Sequence, residues 1–220
     1  METLAAVPHI INRGPEWFSS IGTPKNTGTK IYGLSGCINN PGLFELPLGI
    51  TIRELIDEYG KGLIDGKKVK AISPGGSSSA VLTADDLDMP LDFDTMTKAG
   101  SMLGTAGVTV MDESVCMVRV AHNLAHFYRD ESCGQCVQCR EGTWWLEKML
   151  REIEKGKGSL EHIDIILDAC SQMRGTTICA LADGCAMPVD SIVRNFRDEF
   201  EEHIKQGKCP FEDPYMGVWS

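Results

Sequence analysis

The sequence lacks the features that mark a membrane-spanning, exported or nucleic-acid-binding chain. It has no run of about 18 consecutive apolar residues, so no segment spans a membrane by itself. Bases are the minority, 21 Lys and Arg against 31 Asp and Glu, for a net charge of -10. A nucleic-acid partner is therefore not expected, because holding a phosphate backbone needs a basic footprint. The opening residues, Met1-Glu2-Thr3-Leu4-Ala5, carry an early acid, with neither the basic start of a secretory signal nor the arginines of a transit peptide. There is no internal repeat, no low-complexity stretch and no G-x-G-x-x-G dinucleotide fingerprint. Hydrophobic residues at 42% and charged residues at 24% exclude wholesale disorder. With 220 residues, the expectation is a soluble, acidic, intracellular chain of one large or two ordinary domains.

Cysteine is what the chain has. Of nine, six fall between Cys133 and Cys185, while Cys37, Cys116 and Cys209 stand apart. An odd, unevenly spaced set without a secretory signal is a poor disulfide framework and points to a metal or redox site.

Glycine divides the chain, with 15 of 23 glycines before residue 110. That half alternates turn residues with short apolar runs at residues 30–34, 69–72, 79–82 and 107–110, which read as strands. One helix interrupts them, with Thr51 as N-cap and Ile52, Leu55, Ile56 and Tyr59 on its apolar face. The fold class expected is α+β. After residue 110 the pattern becomes helical, over 114–129, 141–155 and 159–173, then from Pro188 in a first turn through Ile204. Trp145, Met149 and Ile153 are expected on the inward face of the second of these. Four amphipathic helices with short connections predict an antiparallel four-helix bundle.

Between the first two helices stands Cys133-Gly134-Gln135-Cys136-Val137-Gln138-Cys139-Arg140. Two overlapping x2 spacings hold three thiolates on one tight turn, which suits three corners of a cubane. Gly134 lets the backbone curl so that amide N–H groups point toward sulfur, and Arg140 sets a positive charge beside an anionic cluster. Zinc sites more often use two separated pairs. A [4Fe-4S] cluster needs a fourth thiolate from elsewhere. Cys170 lies in phase with the apolar face of its helix and reads as a small buried hydrophobe. Cys179, after the loop residues Gly175-Thr176-Thr177, and Cys185, beside Gly184, both remain open.

The run Glu131-Ser132-Cys133-Gly134-x-Cys136-x-x-Cys139-Arg140-Glu141-Gly142 resembles the cluster motif of the NADH-binding flavoprotein subunit of respiratory complex I, shared with diaphorase subunits of NAD-linked hydrogenases and formate dehydrogenases. Thr177-Ile178-Cys179-Ala180-Leu181-Ala182-Asp183-Gly184 is similar to that family's second cluster segment, and the resemblance selects Cys179 as fourth ligand. Glu2-Thr3-Leu4-Ala5 resembles the segment after the family's flavin-phosphate loop, which makes Thr3 a possible FMN phosphate contact. Pro74-Gly75-Gly76-Ser77 and its surroundings resemble the ubiquitin-like β-grasp insertion, the SLBB domain.

The organisation expected is an N-terminal segment over 1–26, a β-grasp SLBB-like domain over 27–110, a helical [4Fe-4S] domain over 111–205 and a C-terminal tail over 206–220. The resemblance implies one-electron transfer from FMN, through a cluster on Cys133, Cys136, Cys139 and Cys179, to other iron–sulfur subunits, a thioredoxin-like [2Fe-2S] subunit among them. It implies a complex peripheral to the cytoplasmic face of the inner membrane, or its matrix side in mitochondria. The family's flavin and NADH sites belong to an N-terminal domain that this sequence lacks, so the chain alone is not expected to bind FMN or oxidise NADH, and no catalytic residue is assigned. The alternatives are a diaphorase fragment of an NAD-linked hydrogenase or formate dehydrogenase, and a structural zinc or redox-sensing module.

Weaker signals have plainer readings. Gly75-Gly76-Ser77 precedes a strand and reads as a turn, not a phosphate cradle. His122 and His126 lack a following Glu and read as a surface or core pair. Trp144 and Trp145, one turn past Cys139, fit either a water shield or bundle packing. The acidic run 198–202 reads as a solvated helix face.

Overall fold

The computed structural model describes residues 1–211 and divides into two compact units, Met1–Glu113 and Ser114–Ser220. The architecture is mixed, with one five-stranded sheet in the first unit and helices throughout the second. The expected tail over 206–220 extends into residues 212–220, outside the described residues.

The first unit opens with two helices that the strand-and-turn reading did not anticipate, α1 (Glu2–Arg13) and α2 (Pro15–Ser19). Gly14 separates them at φ 91°, a left-handed conformation that glycine adopts without strain. Strands follow at β1 (Thr29–Gly36), β2 (Gly42–Pro47), β3 (Val69–Ser73), β4 (Leu82–Thr83) and β5 (Gly107–Asp112), in the order β2-β1-β5-β3-β4. β1 pairs antiparallel with β2 and parallel with β5, and β3 pairs antiparallel with both β4 and β5. The strand expected over 79–82 shrinks to β4, because the Ser79 N–H closes a turn on the Gly76 carbonyl. That turn is the one expected of the glycine–serine run.

Thr51 caps α3 (Ile52–Glu54) through a reciprocal box with Glu54, which satisfies two N–H groups that a helix start leaves open. The helix then widens over Leu55–Tyr59, and the Gly60 N–H reaches back five residues to Leu55. Ile52, Leu55 and Ile56 turn inward onto Tyr32, Leu34, Ile72 and Val108 of the sheet. Burying each such aliphatic side chain contributes about 1.5–3 kcal/mol. Tyr32 is fully buried, and its hydroxyl donates to the Leu91 carbonyl at 2.9 Å, so its polar end is satisfied. A short helix, α4 (Phe93–Lys98), is capped by the Asp92 carboxylate.

In the second unit, α5 (Met117–Glu131), α6 (Val137–Glu154), α7 (Leu160–Met173), α8 (Leu181–Asn195) and α9 (Arg197–Gln206) surround a core of Val118, Leu146, Leu150, Ile166, Ile192 and Phe200. α5 packs on α6 and α8, and α7 packs on the same two. The last helical stretch differs from expectation. Pro188 lies inside α8, where it lacks the N–H that would bond to the Gly184 carbonyl, and the helix starts earlier, at Leu181. Phe196, at φ -127° and ψ 30°, then breaks α8 from α9.

Trp145 is also corrected. It stands 51% exposed, while Leu146 and Glu147 beside it are buried. Glu147 can enter the interior with its charge answered, because it meets Arg129, His122 and Arg151. Trp144 is exposed as well, with the Lys148 ammonium over its ring at 4.9 Å.

Candidate metal centre

Cys133 and Cys136 lie in the loop joining α5 to α6, and Cys139 lies in the first turn of α6. Gly134 takes φ 78°, the left-handed step that folds so short a loop back on itself. The fold-back is held by hydrogen bonds. The Gly134 N–H donates to Ser132 Oγ at 3.3 Å, and Arg140 Nη1 donates to the Gly134 carbonyl at 2.7 Å. Ser132 Oγ stands 3.3 Å from Cys139 Sγ, and Thr143 Oγ1 donates to the Cys139 carbonyl at 2.8 Å. Cys133 is exposed, Cys136 half-buried and Cys139 buried, and all three are free thiols.

The loop between α7 and α8 comes to the same place. The Ile178 N–H donates to Cys136 Sγ at 3.5 Å, across 42 residues of sequence, which sets the exposed Cys179 in the segment lying against the trio. That segment is organised by its own bonds. The Gly175 N–H donates to Asp183 Oδ1 at 2.9 Å, and Thr177 Oγ1 donates to the Cys179 carbonyl at 2.8 Å. Cys170 and Cys185 are each fully buried on α7 and α8, Cys185 close enough to feel the charge of Cys139 and Cys170. Burial pushes the Cys170 thiol up to about 12 and raises Cys185 as well.

Three thiols on one loop and a fourth on the loop beside it form a soft donor set suited to a thiolate-bound centre, not to magnesium or calcium. In a cubane, iron atoms stand between the thiolates, so its ligands are further apart than those around one ion. Among the described residues, three donor atoms within 4.8 Å of one another occur at Cys116, His203 and Cys209. No spacing within the sequence announces that group. A cleft beside the cysteine loop is lined by Arg129, Ser132, Arg140, Glu141 and Trp144. His122 and His126 take the plain roles expected, the first in ion pairs with Glu147 and Glu154, the second half-exposed beside Asp130. Thr3 is exposed in the first turn of α1.

Residues 119–203 match the family described as the NADH-ubiquinone oxidoreductase-F iron-sulfur binding region, a span containing both cysteine loops. Across nearly its whole length the chain also resembles the F 2 subunit of the NADH-quinone oxidoreductase of Rhizobium meliloti (strain 1021), 48% identical over 211 residues, covering 96% of this chain and 50% of that protein. Residues 119–203 thus belong to that iron-sulfur binding family, and nearly the whole chain is similar to about half of an F subunit. The F subunit of Escherichia coli (strain K12) is 43% identical over 217 residues, covering 98% of this chain and 48% of that protein. The chain thus spans about half the length of the curated relatives it matches. Among solved structures, an NAD+-reducing [NiFe]-hydrogenase in the air-oxidized state superimposes with a TM-score of 0.82 at 28% identity, covering 92% of this chain and 34% of that one. The group that belongs to the family's iron–sulfur binding region is a [4Fe-4S] cluster, and the cysteine trio with one thiol on the neighbouring loop fits it.

Proposed function

We propose that Cys133, Cys136, Cys139 and Cys179 hold one [4Fe-4S] cluster, and that the chain relays single electrons from a reduced FMN to further iron–sulfur subunits of an NADH:quinone oxidoreductase. The observation that carries this reading is the approach of the Cys179 loop to the trio, through the Ile178 N–H and Cys136 Sγ. When bound, a [4Fe-4S] cluster supplies a one-electron carrier, in contrast to the hydride chemistry of flavin and nicotinamide.

The chain's own residues set the conditions for that carrier. The Ile178 N–H points at Cys136 Sγ and the Ser132 hydroxyl stands beside Cys139 Sγ, and hydrogen bonds to sulfur stabilise added negative charge. Arg140 places a fixed cation on the loop while bracing it through the Gly134 carbonyl. The buried Cys139 limits water at one side, whereas the exposed Cys133 and Cys179 leave the other side open to a partner.

In this reading the sheet unit is a β-grasp SLBB-like domain and the helices form an antiparallel four-helix bundle extended by α9. The flavin and NADH sites belong to a separate domain, with Thr3 reaching the FMN phosphate at the junction. A thioredoxin-like [2Fe-2S] subunit is a further partner, and the assembly lies peripherally on the inner membrane. Among the described residues, no helix is long and apolar enough to cross a membrane. The similarity to the NAD+-reducing hydrogenase supports a second reading, the same electron relay in a hydrogenase diaphorase.

Anaerobic reconstitution tests the proposal. It should load about four iron and four sulfide per chain, giving a brown protein that bleaches and develops an EPR signal on reduction. A colourless protein that takes up zinc in place of iron and shows no such signal would overturn it.

A further inference from the structure

Cys116, His203 and Cys209 meet at the junction of the first and last helices of the second unit, and the cluster proposal uses none of them. Cys116 is the N-cap of α5, His203 lies on α9, and Cys209 follows the left-handed Gly207 that ends α9. Their donor atoms lie within 4.8 Å of one another. Cys116 Sγ is 3.3 Å from His203 Nε2 and 3.7 Å from Cys209 Sγ.

Those separations fit one ion at the centre. Tetrahedral zinc, at about 2.3 Å from sulfur and about 2.0 Å from nitrogen, sets sulfur–sulfur edges near about 3.8 Å and sulfur–nitrogen edges near about 3.5 Å, both by simple geometry. A disulfide would instead need the sulfurs at about 2.05 Å.

The surroundings prepare each donor. His203 Nδ1 stands 2.7 Å from the Glu199 carbonyl, which only accepts, so Nδ1 carries the proton and Nε2 turns its lone pair toward the two sulfurs. Metal-bound histidines are oriented in this way, the second ring nitrogen donating to a carbonyl. Cys116 Sγ accepts the Arg119 N–H at 3.5 Å, which fixes the sulfur at the N-terminus of α5. His203 is fully buried and Cys116 nearly so, and Phe211 stacks on the imidazole at 6.2 Å, so two donors are shielded from water and only Cys209 stands part-exposed.

We propose that Cys116, His203 and Cys209 bind one thiophilic divalent cation of the zinc class, which fastens the start of α5 to the end of α9. Two thiolates and one imidazole are a borderline-soft set that selects zinc over magnesium or calcium, and the fourth corner is left to a ligand these three do not supply. The site needs no cluster and stands or falls apart from the electron-relay proposal.

The full chain, anaerobically reconstituted with iron and sulfide, is dialysed against zinc and then against a weak chelator. Metal counting should find about one zinc per chain beside the iron. Zinc-edge X-ray absorption should show two sulfur neighbours and at least one imidazole nitrogen. Cys209→Ser, at the part-exposed position, should lose most of the zinc with its iron unchanged. Failure of the wild type to retain zinc, a shell of four sulfurs, equal zinc in Cys209→Ser, or a Cys116–Cys209 disulfide by mass in place of the metal would each overturn the assignment. The wild-type absorption shell decides the matter even where a variant folds poorly.

Discussion

His122 Nδ1 stands 2.6 Å from Glu154 Oε2, a half-buried ion pair that joins α5 to α6. Burial works against a charged imidazole there, but hydrogen bonds to Glu154 and Glu147 outweigh it and raise the His122 pKa above 6.5. A raised folded value means the stabilisation is complete below the unfolded value and disappears as pH climbs through the folded one. The urea midpoint of the wild type should therefore fall relative to that of His122→Gln as pH rises above the ordinary imidazole value of 6.5. Parallel pH profiles for the two proteins would show that the pair is not coupled to folding.

Glu154 supplies the opposite limb. Burial raises its pKa, yet His122 and Arg119 pull it down to about 2, against an ordinary 4.5. Its contribution is present above the unfolded value and vanishes as pH falls toward the folded one. Glu154→Gln should cost roughly 2–3 kcal/mol near neutral pH by chemical denaturation, and much less in acid, where the wild type has lost the same contribution.

Two glycines with the same backbone angle separate conformational strain from close packing. Gly156 has φ 69° and Gly175 φ 68°, both left-handed. A Cβ on Gly156 would collide with the Gly207 carbonyl carbon, whereas one on Gly175 would meet nothing within 4 Å. Gly175→Ala should cost about 1 kcal/mol for the backbone angle alone, and Gly156→Ala clearly more. Equal losses in thermal melts would mean that the contact with Gly207 is dispensable.

Arg140 should act on potential as well as on structure. Replacing it with Gln removes a positive charge from the cysteine loop and weakens the brace to the Gly134 carbonyl. The midpoint potential of the reconstituted centre should drop, on the order of tens of millivolts, because added negative charge is less well answered. An EPR-monitored titration reads this directly, and a rise in potential would contradict the role given to the charge.

The parts of the fold that were legible in the sequence are those specified over a few residues. Thr51 and Glu54 announce their capping box, and the x2 spacings announce a thiol-rich turn, because the geometry lies within one loop. Long-range pairing hides the rest. β2 is an edge strand of six residues with only Leu46 buried, too weak an alternation to stand out. Glu147 is buried against Arg129 and His122 of another helix, which the periodicity of α6 alone does not reveal. Cys116 and Cys209 are 93 residues apart, and the helix ends that join them cannot be foreseen from the spacing of either.

The ligand set is tested most directly by iron counting and EPR on Cys179→Ser and Cys185→Ser, reconstituted side by side with the wild type. Cys179 lies on the exposed loop beside Cys136, and Cys185 lies within the apolar interior of α8. Cys179→Ser should lose the cluster or convert it to a form with a different signal, while Cys185→Ser keeps about four iron and the native spectrum. A native spectrum in Cys179→Ser, with loss in Cys185→Ser, would contradict the assignment of the fourth ligand.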